Sequence, residues 1–319
     1  MNRNKVILIL YTSNINNRKP FFDLANKADI EKLFVEGEKE GIEFYRAPIQ
    51  WFDINNNIFK KAWSFKNCKW KTMNNIAPDI VFDKCQYTPE LSIVKNQIAT
   101  VFKFVNDPSF DEITSNKFIT YCFFSDFMAR SYLIRNTNDL NKKIDNLNGG
   151  KFVLKPVTGN QGKDVMILKK NEIKNIIINR QSLLQEYIES DRGIKGIVRS
   201  RHDFRIIIFN KEIFCVYARI PQEGSFLANI AQGGSRLFLD KKEIPLSVLD
   251  IVKEIIKRFK GFDYLFYSAD FIFDRNQKPY LLEINSRPRF VVGNDKNSRK
   301  FFDKYYKRII KYFLEIRSH

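Results

Sequence analysis

The stretch YLLEINSRPRF (residues 280–290) ends an apolar run with polar side chains at alternate positions. Alternate residues of a strand share a face, so Glu283, Asn285 and Arg287 are predicted to point the same way. The preceding apolar segment carries Asp270, which a hairpin would bring opposite them. Two carboxylates and an amide oxygen suit Mg²⁺, and buried acids without a cation are unfavourable. The alternative is a structural ion pair in which Arg287 or a lysine neutralises the acids.

A second group lies in FVLKPVTGNQGKDVMIL (residues 152–168), where Gly159 and Gly162 occupy a loop between two predicted strands. The backbone N–H groups of such a loop can close over phosphates. The segment is not GxxxxGK[ST], and no helix is predicted after it, so it is not a P-loop. Lys155 ends a buried strand, where a lysine is unfavourable unless it meets an anion. The alternative is an ordinary hairpin whose lysine reaches solvent.

Two arginines form a third group, because Arg205 and Arg219 lie on adjacent predicted strands. Facing one cleft, they would clamp a transferring phosphoryl group and a carboxylate. The alternative is two exposed strand arginines. Another apolar strand ends in Gln185-Glu186, where backbone groups beside an acid could contact adenine or ribose, although an ordinary strand end is favoured for this segment alone.

The elements that must position these residues follow from the spacing of apolar side chains. Strand, helix and strand over the first hundred residues predict a doubly wound α/β unit, with strands at 5–11, 43–48 and 79–84 and a helix at 27–41. Beyond residue 115 the predicted order is helix 115–129, strands 152–157 and 165–170, helix 171–180, strands 182–188, 204–210 and 212–220, helix 246–259, strands 267–274 and 279–285, and helix 298–316.

Composition narrows the function classes. The 319 residues contain two histidines and four scattered cysteines, which argues against a histidine-based triad, a zinc site or disulfides, and favours a reducing, cytoplasmic location. No apolar run is long enough for a membrane span. The net charge of +18 fits either an anionic partner or a Lys- and Asn-rich surface. Because this charge is spread along the chain, nucleic acid is not an expected partner.

Taken in order, the segments read NK (116–117), LKPVTGNQG, LLQEYI, DFR, RIPQEGSFLANIAQGGS, AD and EINSRP. Together they resemble the ATP-grasp superfamily, and most closely the branch with RimK-type glutamate ligases, glutathione synthetase and YheC/YheD proteins. The resemblance implies an α/β (α+β) protein: an ATP-grasp fold with an N-terminal Rossmann-like α/β domain. Its domains are expected at 1–107 (N-terminal), 108–188 (small subdomain with a phosphate lid) and 189–319 (large subdomain with the Mg site and a C-terminal helix).

The same resemblance implies a role for each matching residue, with ATP and one or two Mg²⁺ ions, or Mn²⁺ in their place, as cofactors. For the nucleotide, the expected roles are phosphate contacts for Lys117 and Lys155, the lid for Gly159, Gln161 and Gly162, and the adenine-binding hinge for Gln185, Glu186, Tyr187 and Ile188. The expected metal ligands are Asp270, Glu283 and Asn285. Positions near the γ-phosphate and the acceptor carboxylate are expected for Arg205, Arg219, Asn229 and Arg287.

The function expected from these roles is ATP-dependent carboxylate–amine ligation. A substrate carboxylate, on an amino acid, a peptide or a protein tail, forms an acylphosphate, and an amine acceptor then displaces phosphate. Two alternatives remain open: an ATP-grasp kinase acting on a small anionic substrate, and a nucleotide-binding module without catalysis in a larger assembly. Relatives are often dimers or tetramers, so a homodimer or homotetramer is expected.

Overall fold

The computed structural model describes residues 3–12, 20–21, 27–159, 164–173, 175–222, 235–288 and 296–316. The chain divides into two compact units. The first comprises Met1–Ser109 with Arg287–His319, and the second comprises Phe110–Ser286.

The first unit is built on a mixed sheet whose centre is the apolar run at the start of the chain. Its elements are β1 (Lys5–Tyr11), α1 (Lys27–Lys39), β2 (Ile42–Pro48), β3 (Phe52–Asp53), β4 (Ile58–Lys66), β5 (Lys69–Ile76), β6 (Ile80–Asp83), α2 (Pro89–Val101), β7 (Lys103–Val105) and α8 (Lys296–Glu315). The strand order is β3-β4-β2-β1-β6-β7, and β5 pairs with β4. Strand β1 is parallel to both β2 and β6, as a doubly wound unit requires.

Burial on both faces explains why β1 is apolar throughout: residues 7–10 are all at most 2% exposed. One face packs against α2, and the other lies toward α1 and α8, where Phe313 contacts Phe44 and Phe82. Lys5 fixes the end of α8 by donating from Nζ to the carbonyl oxygens of Phe313, Leu314 and Ile316. A cation suits a helix C-terminus, which carries partial negative charge.

The second unit contains two antiparallel sheets. Before them come α3 (Pro108–Ser115) and α4 (Lys117–Phe124), and the smaller sheet, ordered β10-β9-β11-β8, comprises β8 (Ser131–Ile134), α5 (Thr137–Lys143), β9 (Lys151–Pro156), β10 (Met166–Lys169), α6 (Lys170–Ile173) and β11 (Ser182–Glu186). The larger sheet, ordered β14-β13-β12-β15-β16, comprises β12 (Asp203–Phe209), β13 (Glu212–Ile220), β14 (Ser235–Leu239), α7 (Leu246–Arg258), β15 (Phe266–Phe273) and β16 (Pro279–Asn285).

Helix α7 covers the larger sheet with one apolar stripe. Its buried residues are Val248, Ile251, Val252 and Ile255, which follow the i, i+3, i+4, i+7 spacing of one helix face. They join a core formed by the strands and by aromatic side chains such as Phe110 and Phe259, whose rings meet edge to face at 4.9 Å. The larger sheet is therefore a rigid base for the polar residues at the ends of its strands.

Two sequence-based expectations differ from the structure. The helix predicted over 171–180 is wrong, because α6 ends at Ile173. Ile176 and Ile178 pack on the core of the smaller sheet while Ile177 is 75% exposed, which is the in-and-out alternation of extended chain. The final helix, expected with the large subdomain, groups with the first unit instead. The expected boundary between subdomains at 188/189 stays a prediction.

Candidate active site

Lys155 lies near the end of β9 and is 8% exposed. Leu183 of β11 stands opposite it, so Gln185 is its diagonal neighbour on the same face. Lys155 Nζ donates to Gln185 Oε1 at 3.0 Å, and Gln185 Nε2 donates to Ser131 Oγ at 2.9 Å. Burial lowers the pKa of Lys155 to about 8, Glu283 opposes this effect and Lys117 adds to it. The lysine is thus fixed in position by an uncharged amide.

Lys117 begins helix α4, whose N-terminus is capped by the side chain of Asn116 accepting from the N–H groups of Phe118 and Ile119. Its backbone N–H donates to Val157, just beyond β9, at 2.9 Å. Its Nζ donates to the carbonyl oxygen of Gly159 at 2.7 Å. Gly159 itself has φ +128°, which is a backbone conformation that favours glycine.

The charge of one carboxylate, Glu283, raises the pKa of both lysines. Burial lowers the pKa of Lys117, while the charge of Glu283 raises it and that of Arg180 lowers it. Glu283 has the same raising effect on Lys155. Neither lysine makes a salt bridge among the described residues, so two desolvated ammonium groups share the influence of a single carboxylate. Because burying unpaired charge is unfavourable, this arrangement suits a polyanion such as a row of phosphates.

Asp270 lies on β15 of the larger sheet and is fully buried. Arg205 stands directly opposite on β12 and donates from Nε to Asp270 Oδ1 at 2.7 Å and from Nη2 to Oδ2. Arg219 of β13 donates from Nη2 to the same Oδ2 at 2.7 Å. Burial raises the pKa of Asp270, but the two guanidinium groups outweigh it and hold the pKa below its usual range. Asp270 is therefore ionised and held by arginines.

Sequence reasoning missed Asp203, which completes this network. It stands opposite Arg219 across the β12–β13 pair, and its Oδ2 accepts a hydrogen bond from Arg219 Nη2. The signal was present, because Asp203 and Arg205 are two residues apart on one strand and share a face. Gln185 was expected to contact the nucleotide, and the structure gives it a direct contact with Lys155 instead. Its role toward a nucleotide stays a prediction.

Glu283 stands opposite Asp270 across the β15–β16 pair, and Asn285 stands opposite Ser268. The Glu283 side chain is 46% exposed and its Oε1 lies 3.9 Å from Arg205 Nη2. The acids of this network are Asp203, Asp270 and Glu283, against two arginines. Burial raises the pKa of Asp203 to about 7, and Glu283 is the most accessible of the three carboxylates.

This donor set fits Mg²⁺, which is commonly held by one or two carboxylates together with phosphate oxygens of a substrate. Within the described ranges, no three His, Cys, Asp or Glu residues come together to hold a metal ion. The ion would therefore rely on Glu283, with Asn285 and Asp270 nearby and phosphate oxygens completing the shell. The metal-ligand assignment stays a prediction for all three residues.

The predicted hinge follows β11. Glu186 N donates to the carbonyl oxygen of Arg130 at 3.0 Å, and Tyr187 N donates to that of Lys151 at 3.3 Å. Glu186 Oε1 accepts from Asn148 N at 2.9 Å. These bonds fix the hinge backbone. The adenine contact expected for Glu186, Tyr187 and Ile188 stays a prediction.

The structure does not test the roles expected for the remaining predicted site residues. Gln161, Gly162 and Asn229 lie outside the described residues. Arg287 belongs to the first unit, where its charge acts on Lys84. Its expected place beside an acceptor carboxylate stays a prediction.

Comparison with known proteins agrees with the fold. A family model described as a RimK-like ATP-grasp domain matches residues 127–301, more than half of the chain. A solved structure of a RimK domain ATP-grasp protein from Sphaerobacter thermophilus superposes with a TM-score of 0.63 at 11% sequence identity, covering 97% of this chain and 98% of that one. The protein therefore belongs to the RimK-like ATP-grasp family, which confirms both the resemblance and the fold class.

Curated relatives carry ligase names. A probable alpha-L-glutamate ligase of Legionella pneumophila is 28% identical over 169 residues, which is 50% of each chain. The ribosomal protein bS6–L-glutamate ligase of Escherichia coli is 24% identical over 166 residues, or 49% of each chain. The alignment thus spans about half the length of the curated relatives that the chain matches. Within the part of the chain that the structure describes, no helix has the length and apolar character to cross a membrane.

Proposed function

We propose that the protein is an ATP-dependent carboxylate–amine ligase that forms an amide or peptide bond through an acylphosphate and releases ADP and phosphate. The observation that carries this proposal is the pair of desolvated lysines, Lys117 and Lys155, facing one shared carboxylate, Glu283. Family membership and the ligase names of the relatives support it.

In the proposed reaction, an oxygen of the substrate carboxylate attacks the γ-phosphorus of ATP, and the bond from that phosphorus to the β–γ bridging oxygen breaks to leave ADP. The amine then attacks the acyl carbon, phosphate leaves and the amine proton passes to solvent. Lys155 and Lys117 neutralise charge on the phosphate oxygens, and Gln185 keeps Lys155 in place.

The larger sheet contributes charge of both signs. Asp270 and Asp203 orient Arg219, and Asp270 also fixes Arg205 by two hydrogen bonds, so both guanidinium groups are preorganised rather than mobile. Mg²⁺ held at Glu283, Asn285 and Asp270, one or two ions with Mn²⁺ as a substitute, would supply Lewis-acid neutralisation of the transferring phosphoryl group. No protein nucleophile is required.

For substrates we propose a carboxylate on an amino acid, a peptide or a protein tail, and an amino acid as the amine. The names of the relatives support this choice, since one acts on ribosomal protein bS6 with L-glutamate. We also propose a cytoplasmic location. The four cysteines are free thiols, and two of them, Cys85 and Cys215, are buried. A homodimer or homotetramer remains part of the proposal.

The test is carboxylate activation with a trap. Purified protein is incubated with Mg²⁺, ATP, pooled amino acids and peptides, and hydroxylamine, and ADP, phosphate and hydroxamate are measured. ADP and phosphate together with a hydroxamate are expected. A stable phosphorylated product would instead identify a kinase, and ATP binding without turnover on any acceptor would favour a binding module.

Variants connect the activity to the site. Lys155→Met and Glu283→Gln should each lower turnover by orders of magnitude while the circular dichroism spectrum stays unchanged. Lys169→Met, at an exposed lysine on the neighbouring strand β10, is the matched control and should retain wild-type turnover. Wild-type turnover in Lys155→Met or Glu283→Gln would contradict the proposal.

A further inference from the structure

The hairpin of β4 and β5 in the first unit is rich in positive charge. Residues 58–76 contain five lysines and no acidic residue. Lys60 Nζ lies 3.2 Å from Asp53 Oδ2, which compensates its charge. Lys66 Nζ lies 2.7 Å from Glu43 Oε1 and is compensated in the same way. The other lysines of the hairpin are exposed and make no salt bridge within the described part of the chain: Lys61, Lys69 and Lys71.

Strand β5 (Lys69–Ile76) forms an open edge of the sheet. Among the strands that the structure describes, it pairs only with β4. Alternate residues of an antiparallel strand point their N–H and C=O groups to opposite sides, so half of these groups in β5 point away from β4. Six of its eight residues are exposed, which leaves this edge accessible to solvent. An exposed edge of this length can accept a further strand from another chain.

Trp70 fixes β5 to the rest of the first unit. Its ring centroid lies 5.1 Å from those of Phe21 and Phe34, and equally far from that of Phe65. Its Nε1 donates to Glu31 Oε1 at 2.7 Å. The edge is therefore held in an extended conformation before any partner binds, which reduces the entropy lost on binding.

The opposite face of β5 presents a defined order of side chains. Lys69, Lys71 and Met73 alternate with Trp70 along the strand and therefore share this face. Lys69 stands opposite Lys66 across the hairpin, and Met73 is 41% exposed. Like charges directly opposite one another are unfavourable in a sheet. Two lysines and an apolar side chain are thus presented, in that order, along one exposed edge.

Charge decides which strand this edge can accept. A second copy of β5 would bring further lysines to the edge, and lysines on edge strands are a common protection against such self-pairing. An acidic chain is attracted instead, because each of its carboxylates can lie beside a lysine. Extended peptides bind to sheet edges through main-chain hydrogen bonds, while side chains at alternate positions set the specificity. The occupant that fits this edge is therefore an acidic peptide.

We propose that the free edge of β5 binds an acidic peptide, in extended conformation, as an added strand. Two acidic residues of the peptide, separated by one residue, lie beside Lys69 and Lys71. An apolar residue two positions further along the peptide lies beside Met73. The surface belongs wholly to the first unit, and binding there is independent of the proposed ligase reaction.

Two peptides of identical composition separate strand addition from simple attraction between charges. The first, Leu-Thr-Glu-Thr-Glu-Thr-Leu, places both glutamates on one face and offers a leucine for either strand direction. The second, Leu-Thr-Glu-Glu-Thr-Thr-Leu, has adjacent glutamates, which point to opposite faces of a strand. Each peptide carries a fluorophore, and its anisotropy is followed as full-length protein is added without ATP. Saturable binding of the first peptide, at least about threefold tighter than that of the second, is expected.

Paired variants identify the surface. Lys69→Gln combined with Lys71→Gln should weaken binding of the first peptide by about threefold to tenfold, because two ion pairs at exposed positions are lost. Lys304→Gln combined with Lys307→Gln is the matched control. It removes two exposed lysines from α8 of the same unit and should bind as the wild type does.

Three results would overturn the proposal: no saturable binding of the first peptide, equal affinity for the two peptides, or unchanged affinity in the Lys69→Gln, Lys71→Gln variant with a native circular dichroism spectrum. Tighter binding of a single-stranded oligonucleotide than of the first peptide would also overturn it and would identify a nucleic-acid surface. Lys155→Met separates this proposal from the ligase function, since it should retain peptide binding even where ATP turnover is lost.

Discussion

The lowered pKa of Lys155 makes ATP binding sensitive to pH in a defined direction. In the free protein, burial and Lys117 lower this pKa to about 8 against the effect of Glu283. Phosphates beside the lysine favour its charged form and raise the pKa in the complex. Binding therefore takes up a proton once the pH exceeds the pKa of the free protein. Affinity should be constant below that pKa and decrease above it.

The size of the effect follows from the charged fraction. At about pH 7 roughly nine in ten molecules carry a charged Lys155, and at about pH 9 roughly one in ten does, so the apparent affinity should fall about tenfold between them, or about 1.4 kcal/mol. Burial also lowers the pKa of Lys117, so that residue adds to the decrease in the same direction.

Calorimetric titration with a non-hydrolysable ATP analogue and Mg²⁺ measures this effect. Repeating each titration in two buffers with different heats of ionisation gives the protons taken up, about half a proton near pH 8 and about 0.9 near pH 9. In Lys155→Met the affinity should be lower at neutral pH and should change much less with pH. A wild-type affinity that is flat between these pH values, with no proton uptake, would refute the reasoning.

The remaining predictions concern stability, measured by urea denaturation. Asp270→Asn should destabilise the protein by about 3–5 kcal/mol because it leaves the buried Arg205 without its carboxylate, whereas Glu283→Gln at a half-exposed position should change stability by less than about 0.5 kcal/mol. Equal losses would show that Asp270 has no special structural role. Gly193→Ala places a Cβ 1.9 Å from a backbone carbonyl oxygen, while Gly196→Ala, at a similar φ, meets nothing within 4 Å. Gly193→Ala should therefore lower the free energy of unfolding by at least about 2 kcal/mol more than Gly196→Ala does. The loss in Gly196→Ala comes only from placing alanine in a left-handed backbone conformation, about 1–2 kcal/mol. Similar costs would contradict the packing of this loop.

The strands that sequence reasoning found share one physical property. β1, β12 and β13 are nearly continuous apolar runs because both of their faces are covered, and such runs are visible without any periodicity. The hairpin of β4 and β5 was missed for the opposite reason. β5 (KWKTMNNI) is exposed at most positions and lies at the edge of its sheet, so its pairing is decided by backbone hydrogen bonds rather than by apolar side chains.

The active-site residues divide in the same way. Residue types and spacing were enough to select Lys155, Asp270 and Glu283, because lysine and acids at the ends of apolar strands are unusual without a role. The sequence did not predict which of these side chains pair across neighbouring strands. It did not show that the arginines would hold Asp270, since that depends on the register of β12 against β15, in which Arg205 and Asp270 stand directly opposite. Register is a tertiary property, and a shift of one residue would separate them.

The net charge of +18 identifies no partner by itself, since most of the lysines are exposed to solvent, where their charge has little effect on the stability of the fold. Buried cations are more informative. Lys95 is buried but lies 2.7 Å from Asp83, so it stabilises the first unit. Lys117 and Lys155 are desolvated without a salt bridge to any described acid. Because such burial lowers stability, these two positions are where anionic ligands should be sought.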